Sequence, residues 1–157
     1  MSVRKFLVVA DDSPERTAAL RYACRRAERV GGRVALLRTM DRAVFEHWSG
    51  VREEIERQTR AEAEAALQAM AEQVMTLTGQ PAELLIREGE PWPAIRAAVA
   101  EDPDIKVLVL AAAVGGRGPG PLVASVAKGG TGGGGRRLAV TIVPGDLTDA
   151  ELIDLTA

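Results

Sequence analysis

Short apolar runs that alternate with segments of helical periodicity are the feature that most constrains the fold of this chain. Each run is rich in valine, leucine or alanine, which is typical of strands that are buried on both faces of a sheet. Glycine and proline mark most of the boundaries between the two kinds of segment. The predicted strands cover residues 5–10, 33–38, 83–87, 106–112 and 137–143.

The order of the segments predicts an α/β fold. Strands that alternate with helices form a parallel sheet, and here the helices are expected to cover both faces of five strands. The first helix is predicted to follow Ser13 as N-cap, with Pro14 at its first position. Longer and shorter helices are expected at 51–77 and 122–127, and another after residue 93. Ligands of open parallel sheets bind beyond the carboxyl ends of the strands, where the strand order reverses.

Composition excludes several classes of protein. The 157 residues suit a single domain over 1–157, and 20 basic against 22 acidic side chains give a net charge of −2. A near-neutral chain with many apolar residues is neither disordered nor suited to nucleic acid. The single cysteine, Cys24, excludes a disulfide framework within one chain and a Cys-rich zinc module, and the single histidine, His47, excludes any site that needs two histidines. No apolar run is long enough to span a bilayer, so we expect a cytoplasmic protein without membrane contact.

Two segments stand apart from this pattern. Residues 129–135 contain six glycines, which disfavour both helix and strand, so a flexible loop is expected there. The acidic tail, 146–157, carries four acids and no base, and its leucines predict a short helix that packs on the body. Arg21, Arg25 and Arg29 recur every four residues on the first helix. They could meet an acidic partner, but a solvated face is the commoner arrangement and is the one we expect.

The segment FLVVADDSPERTAALRYACRRAERVGGRVALL (6–37) and the segment LIREGEPWPAIRAAVAEDPDIKVLVLAAA (85–113) together resemble the universal stress protein family. The resemblance extends from residue 6 to residue 143. It implies a Rossmann-like sheet of order 3-2-1-4-5 and a homodimer through the last strand, Leu138 to Val143. In the nucleotide-binding branch of the family, ATP lies in the crevice between strands one and four.

The nucleotide motif of that branch, G-x2-G-x9-G-[ST], is altered in this chain. Its three glycines correspond to Ala111, Val114 and Ala124, and its hydroxyl residue corresponds to Ser125. Glycine in such a motif lets backbone N–H groups approach phosphate closely. We therefore expect the branched side chain of Val114 to lie in the crevice and to oppose the standard ATP pose.

A different anion site is the alternative. The glycine loop at 115–120, its arginine Arg117 and the N-terminus of the helix that follows could together bind a phosphate, with Ser125 as a further donor. Asp11 corresponds to the family aspartate that faces adenosine. Each residue also has a plainer interpretation: the glycines form only a loop, Asp11 caps the first helix, and Ser125 is an ordinary helical serine. The candidate residues for nucleotide or anion binding are Asp11, Gly115, Gly116, Arg117, Gly118 and Ser125.

Two hypotheses for function follow. The first is a stress-response protein that is not an enzyme, needs no cofactor or metal, and acts as a homodimeric interaction module. The second is a protein that binds ATP or another small anionic ligand through Asp11 and the 115–120 loop, with slow ATPase activity. No catalytic set of residues is recognisable, which favours the first hypothesis. His47 is isolated from other ligand residues, and Cys24 lies on the apolar stripe of a helix.

Overall fold

The computed structural model describes residues 3–40, 52–129 and 136–157. These residues form a five-stranded parallel sheet in the order β3-β2-β1-β4-β5, which confirms the predicted topology. The connection that carries His47 and the glycine-rich tract at 130–135 lie outside the described residues. The strands are β1 (Lys5–Val9), β2 (Arg33–Met40), β3 (Glu83–Glu88), β4 (Ile105–Ala112) and β5 (Ala139–Pro144).

Helices cover both faces of the sheet, as the sequence predicted. Side chains alternate along a strand, so Phe6 and Val8 of β1 pack on one face while Leu7 and Val9 pack on the other. The first face carries the two longest helices and the second carries the two that follow β3 and β4. The helices are α1 (Arg16–Val30), α2 (Arg52–Thr78), α3 (Pro91–Glu101), α4 (Pro121–Gly129) and α5 (Asp149–Leu155).

The start of α1 differs from the prediction. Ser13 was expected as the N-cap, but the N-cap is Glu15, which makes no side-chain capping bond, and Pro14 lies in the preceding turn. The Asp11 Oδ1 accepts hydrogen bonds from the Ser13 N–H (3.0 Å) and hydroxyl (2.6 Å), which makes an Asx turn ahead of the helix. The Arg16 N–H then donates to the Ser13 carbonyl (3.3 Å), a bond across three residues and not four, so the regular helix begins only after Glu15. At the other end, Gly31 adopts a left-handed conformation (φ 65°) that closes α1.

The arginines of α1 hold the C-terminal helix, and the expectation of a solvated face is wrong. Arg21 forms an ion pair with Asp149. Arg25 Nε donates to the Thr156 hydroxyl (2.7 Å), and Arg29 Nε donates to the Thr156 carbonyl (3.0 Å). Thr156 is only 2% exposed. The acidic tail thus supplies partners within the same chain, which the spacing of the arginines alone did not reveal.

Candidate functional site

A cavity of about 500 Å³ lies beyond the carboxyl ends of β1 and β2, beside the first residues of α3 and α4. We call it the Asp11 cavity. Parallel strands direct their carboxyl ends to one edge of the sheet, and β1 stands where the order reverses between β2 and β4. Its apolar wall includes Trp92 and Leu122. The polar side chains that line it are Asp11, Asp12, Arg38, Thr39, Glu90 and Ser125.

The Asp11 carboxylate is half-buried and oriented by its own loop. Its Oδ1 atom accepts both hydrogen bonds from Ser13, which fix the side chain at the end of β1. The cap of α1 is Glu15, four residues along the chain, and not Asp11. Asp11 is therefore held as a hydrogen-bond acceptor on the cavity wall, and its contacts do not support the interpretation as a helix cap.

Asp12 and Arg38 form a two-point ion pair at the cavity. Arg38 Nη1 lies 2.9 Å from Asp12 Oδ1, and Arg38 Nη2 lies 3.2 Å from Asp12 Oδ2. Arg38 Nη1 also donates to the carbonyl of Ala10 (2.9 Å), which ties β2 to the loop after β1. The hydrogen bonds from Arg38 hold the pKa of Asp12 below its ordinary value, because they outweigh the effect of burial.

Sequence reasoning missed Arg38. The signal was present, because Arg38 interrupts an apolar strand and follows Leu37, which pairs with the last residue of β1. A charged residue at that position in a parallel sheet lies beside the acidic turn of the neighbouring strand. The strand order implied by the family resemblance already makes β2 and β1 neighbours, so this pairing was within reach of the sequence.

Ser125 lines the Asp11 cavity but has already used its donor. The Ser125 hydroxyl donates to the carbonyl of Pro121 (2.9 Å), one turn earlier in α4. Its oxygen is left to act as an acceptor. This contact favours the plainer interpretation of Ser125 as a helical serine over a phosphate donor.

Trp92 forms the flat apolar wall of the cavity. The guanidinium carbon of Arg96 lies over the Trp92 ring, 6.0 Å from the ring centroid. Trp92 Nε1 is buried and has no hydrogen-bond partner among the residues that the structure describes. A buried donor without a partner is uncommon and needs an explanation. The neighbouring Glu90 is the N-cap of α3, and its side chain makes no capping bond.

The glycine loop does not reach the cavity. Gly115, Gly116, Arg117 and Gly118 are all exposed, and none of them lines the Asp11 cavity. Of the six predicted site residues, the structure brings together only Asp11 and Ser125. The loop closes on itself through a hydrogen bond between the backbone of residues 113 and 119 (2.9 Å). Positive φ angles at Gly115 and Gly118 account for glycine at those two positions.

A second, smaller crevice of about 70 Å³ lies between Asp11 and the carboxyl end of β4. Ala111 and Gly120 line it, but Val114 does not. The expectation that Val114 fills this crevice is wrong. The chain turns toward β5 after β4, so Val114 is 62% exposed and lines an open groove with Ile142.

Two further kinds of site, a metal centre and a membrane-spanning helix, are absent from the described parts of the chain. Within residues 3–40, 52–129 and 136–157 no three His, Cys, Asp or Glu side chains form a group that could hold a metal ion. The helices described there are also too short or too polar to cross a membrane. Cys24 is fully buried, and burial raises the pKa of its thiol to about 12.

Comparisons with known proteins agree with this fold. The family model described as the universal stress protein family matches residues 2–129. No curated protein matches. Solved structures that resemble the chain include the universal stress protein UspA from Lactobacillus plantarum, with 20% identity and a TM-score of 0.71 over 91% of this chain and 99% of that one.

Two further structures extend the likeness. A universal stress protein in complex with cAMP is 17% identical, with a TM-score of 0.64 over 93% of this chain and 100% of the other. A protein of the same family from Burkholderia pseudomallei is 18% identical, with a TM-score of 0.65 over 89% and 95% of the two chains. At these identities the structures show a shared fold, while the family model covers most of the sequence. The chain belongs to the universal stress protein family.

Proposed function

We propose that this protein is a non-enzymatic universal stress protein that binds a small organic ligand in the Asp11 cavity and acts in the stress response as a homodimer. The observation that carries the proposal is the contrast between the two spaces at the end of β1. The Asp11 cavity measures about 500 Å³, within the range of roughly 300–1,000 Å³ that is usual for small-molecule sites.

The narrow crevice argues against ATP in its standard pose. Its volume of about 70 Å³ is equivalent to roughly two water molecules. The glycine loop that would surround a phosphate is folded on itself and exposed. A ligand in the Asp11 cavity therefore has little room to extend a triphosphate toward β4.

The residues that line the cavity also argue against catalysis. None of the described lining residues is a histidine or a cysteine. The hydroxyl of Ser125 donates to a carbonyl, which is not a base, so this serine is not an activated nucleophile. A protein of the same fold is described as a complex with cAMP, which supports binding of a small molecule by this fold.

Adenosine is a suitable first probe of the cavity, with ATP and Mg²⁺ beside it. We expect adenosine to raise the melting temperature, since a ligand at 100 times its Kd adds about 2.7 kcal/mol of stability. Ser125→Trp should fill the cavity and remove the shift. Ala127→Trp, on the same helix but away from the cavity, is the matched control. Binding of ATP ten times more tightly than adenosine, or hydrolysis of ATP, would contradict the proposal of a non-enzymatic protein without a standard ATP site.

The dimer is proposed on the exposed edge of β5. Among the described strands β5 pairs only with β4, so its outer edge has no partner. Such an edge is a template for pairing with another chain. Ile142 on this strand is 42% exposed. Ile142→Asp should convert the dimer to a monomer in light scattering, while Ile153→Asp, at a 54% exposed position of α5, should leave it a dimer. A wild-type monomer at micromolar concentration would contradict the proposal.

A further inference from the structure

The charge balance of the Asp11 cavity separates it from a phosphate site. Three carboxylates line it, those of Asp11, Asp12 and Glu90, and Arg38 is the only cation among the described lining residues. With all four groups ionised, the lining carries a net charge of −2. A phosphate would meet two excess negative charges there. A cation would be attracted by this negative lining and an anion would be repelled. Both interaction energies increase as water is excluded from the cavity.

The charge of Arg38 is already paired. Three of its five N–H donors are used, because Nη1 and Nη2 each donate to the Asp12 carboxylate and Nη1 also donates to the Ala10 carbonyl. Its side chain is 17% exposed, whereas that of Asp12 is 85% exposed. The pair is neutral as a unit. Neither Asp11 nor Glu90 forms an ion pair with another described residue, and Arg16 lines the smaller crevice beside Asp11 but not the Asp11 cavity.

Two of the remaining side chains can accept hydrogen bonds from a ligand. Asp11 keeps its second carboxylate oxygen, since Ser13 uses only Oδ1. The Ser125 oxygen keeps its lone pairs, since its proton goes to Pro121. Two helix N-termini also face this edge and would favour an anion, with about half a positive charge each at most. Both helices begin with proline, which removes one donor from each terminus.

We infer that the Asp11 cavity selects an organic cation: an amine, amidine or guanidinium group held by Asp11 and Glu90, on a flat frame that lies against Trp92. The inference rests on the proposed function, because it names the class of ligand for the same cavity. Nitrogen cations donate several hydrogen bonds and pair well with carboxylates, and charge-assisted bonds of this kind are the stronger ones. The flat indole wall suits an aromatic or conjugated frame.

Three molecules of nearly equal shape test the inference: benzamidine (a cation), benzamide (neutral) and benzoate (an anion). Cyclic AMP is added as an anionic probe of nucleotide size. Binding is followed by amide and indole cross-peaks of the full chain in ¹H–¹⁵N spectra, with the Trp92 indole signal identified through Trp92→Phe. We expect benzamidine to bind about tenfold more tightly than benzamide, a difference of about 1.4 kcal/mol. Benzoate is expected to bind more weakly than benzamide.

Charge-removing variants connect the preference to its residues. Asp11→Asn keeps the oxygen that Ser13 needs, and Glu90→Gln changes an exposed residue, so both variants should fold. Each should reduce the preference for benzamidine over benzamide. Glu62→Gln, which removes an exposed charge on α2, should leave it unchanged. Asp12→Asn frees Arg38 and should raise the affinity for benzoate.

The outcomes separate the two proposals. Tighter binding of benzoate or cyclic AMP than of benzamidine, abolished by Ser125→Trp, would overturn the cation preference and leave ligand binding in the cavity intact. An unchanged preference in Asp11→Asn and Glu90→Gln would also overturn it. Failure of adenosine and of all four probes to bind would remove the proposed function together with this inference.

Discussion

Replacing Gly145 with alanine tests how closely the turn that follows β5 packs on the rest of the protein. Gly145 lies in the turn between β5 and α5. A Cβ atom at this position would stand 2.3 Å from the carbonyl oxygen of Ala112 and 2.8 Å from Cγ of Glu15. The glutamate side chain can move aside. The carbonyl is held more firmly, because Ala112 is the last residue of β4 and is paired with Pro144 of β5.

The cost follows from that fixed oxygen. The turn must shift by roughly an ångström to restore an ordinary contact, and overpacking of this kind costs about 1–3 kcal/mol. For a chain of this size each kcal/mol lowers the melting temperature by about 2–4 °C. Gly116→Ala is the matched control, since nothing lies within 4 Å of a Cβ there and its φ angle is not positive. Its free energy of unfolding should stay within about 0.5 kcal/mol of wild type.

Urea denaturation of the two variants measures the difference directly. We expect Gly145→Ala to have a lower midpoint than wild type with an unchanged slope. Equal midpoints for Gly145→Ala, Gly116→Ala and wild type would refute it, because the turn would then have room for a methyl group. A structure of Gly145→Ala with β4 and the turn unmoved would refute it in the same way.

Three further predictions use other contacts. The Cys24 thiol, with its pKa raised by burial to about 12, should resist Ellman's reagent at pH 8 until the chain unfolds, and rapid labelling of the native protein would contradict its burial. The pKa of Asp12 is lowered by Arg38, so the ion pair stabilises the fold above pH 3.8, and this stabilisation is lost as the pH falls further. Arg38→Gln should return the titration midpoint of the Asp12 carboxyl in ¹³C spectra to its ordinary value, and an unshifted midpoint in the wild type would disprove the pair. Arg136 donates to three backbone carbonyls, so Arg136→Ala should cost about 1–3 kcal/mol in urea denaturation, and an unchanged midpoint would count against these bonds.

Periodicity predicted most of the fold because the pattern is local. A strand buried on both faces needs apolar residues throughout, and KVLVLAA at 106–112 meets that need whatever its neighbours are. The same holds for the long helix, predicted at 51–77 and described at Arg52–Thr78. The strand order came from the family resemblance, and the structure confirms it.

The errors arose where a residue had two possible partners. Ser13 is a good helix cap in isolation, but here it belongs to two successive tight turns, one through the Asp11 carboxylate and one through its own carbonyl, which accepts from the Arg16 N–H. The arginines of α1 form a regular charged stripe that is typical of solvent, but the tail returns to them across more than 120 residues. Spacing along a helix does not contain that information.

For the candidate site, the sequence by itself determined the edge of the sheet and the residue that opens it, Asp11, because a parallel sheet places its carboxyl ends together. Tertiary structure decided what surrounds that residue. It paired Arg38 with Asp12, turned Val114 toward β5, and left Arg117 in a loop outside the cavity. The physical reason is that a cavity is formed by elements distant in sequence, so its charge and volume depend on their packing and not on any local pattern.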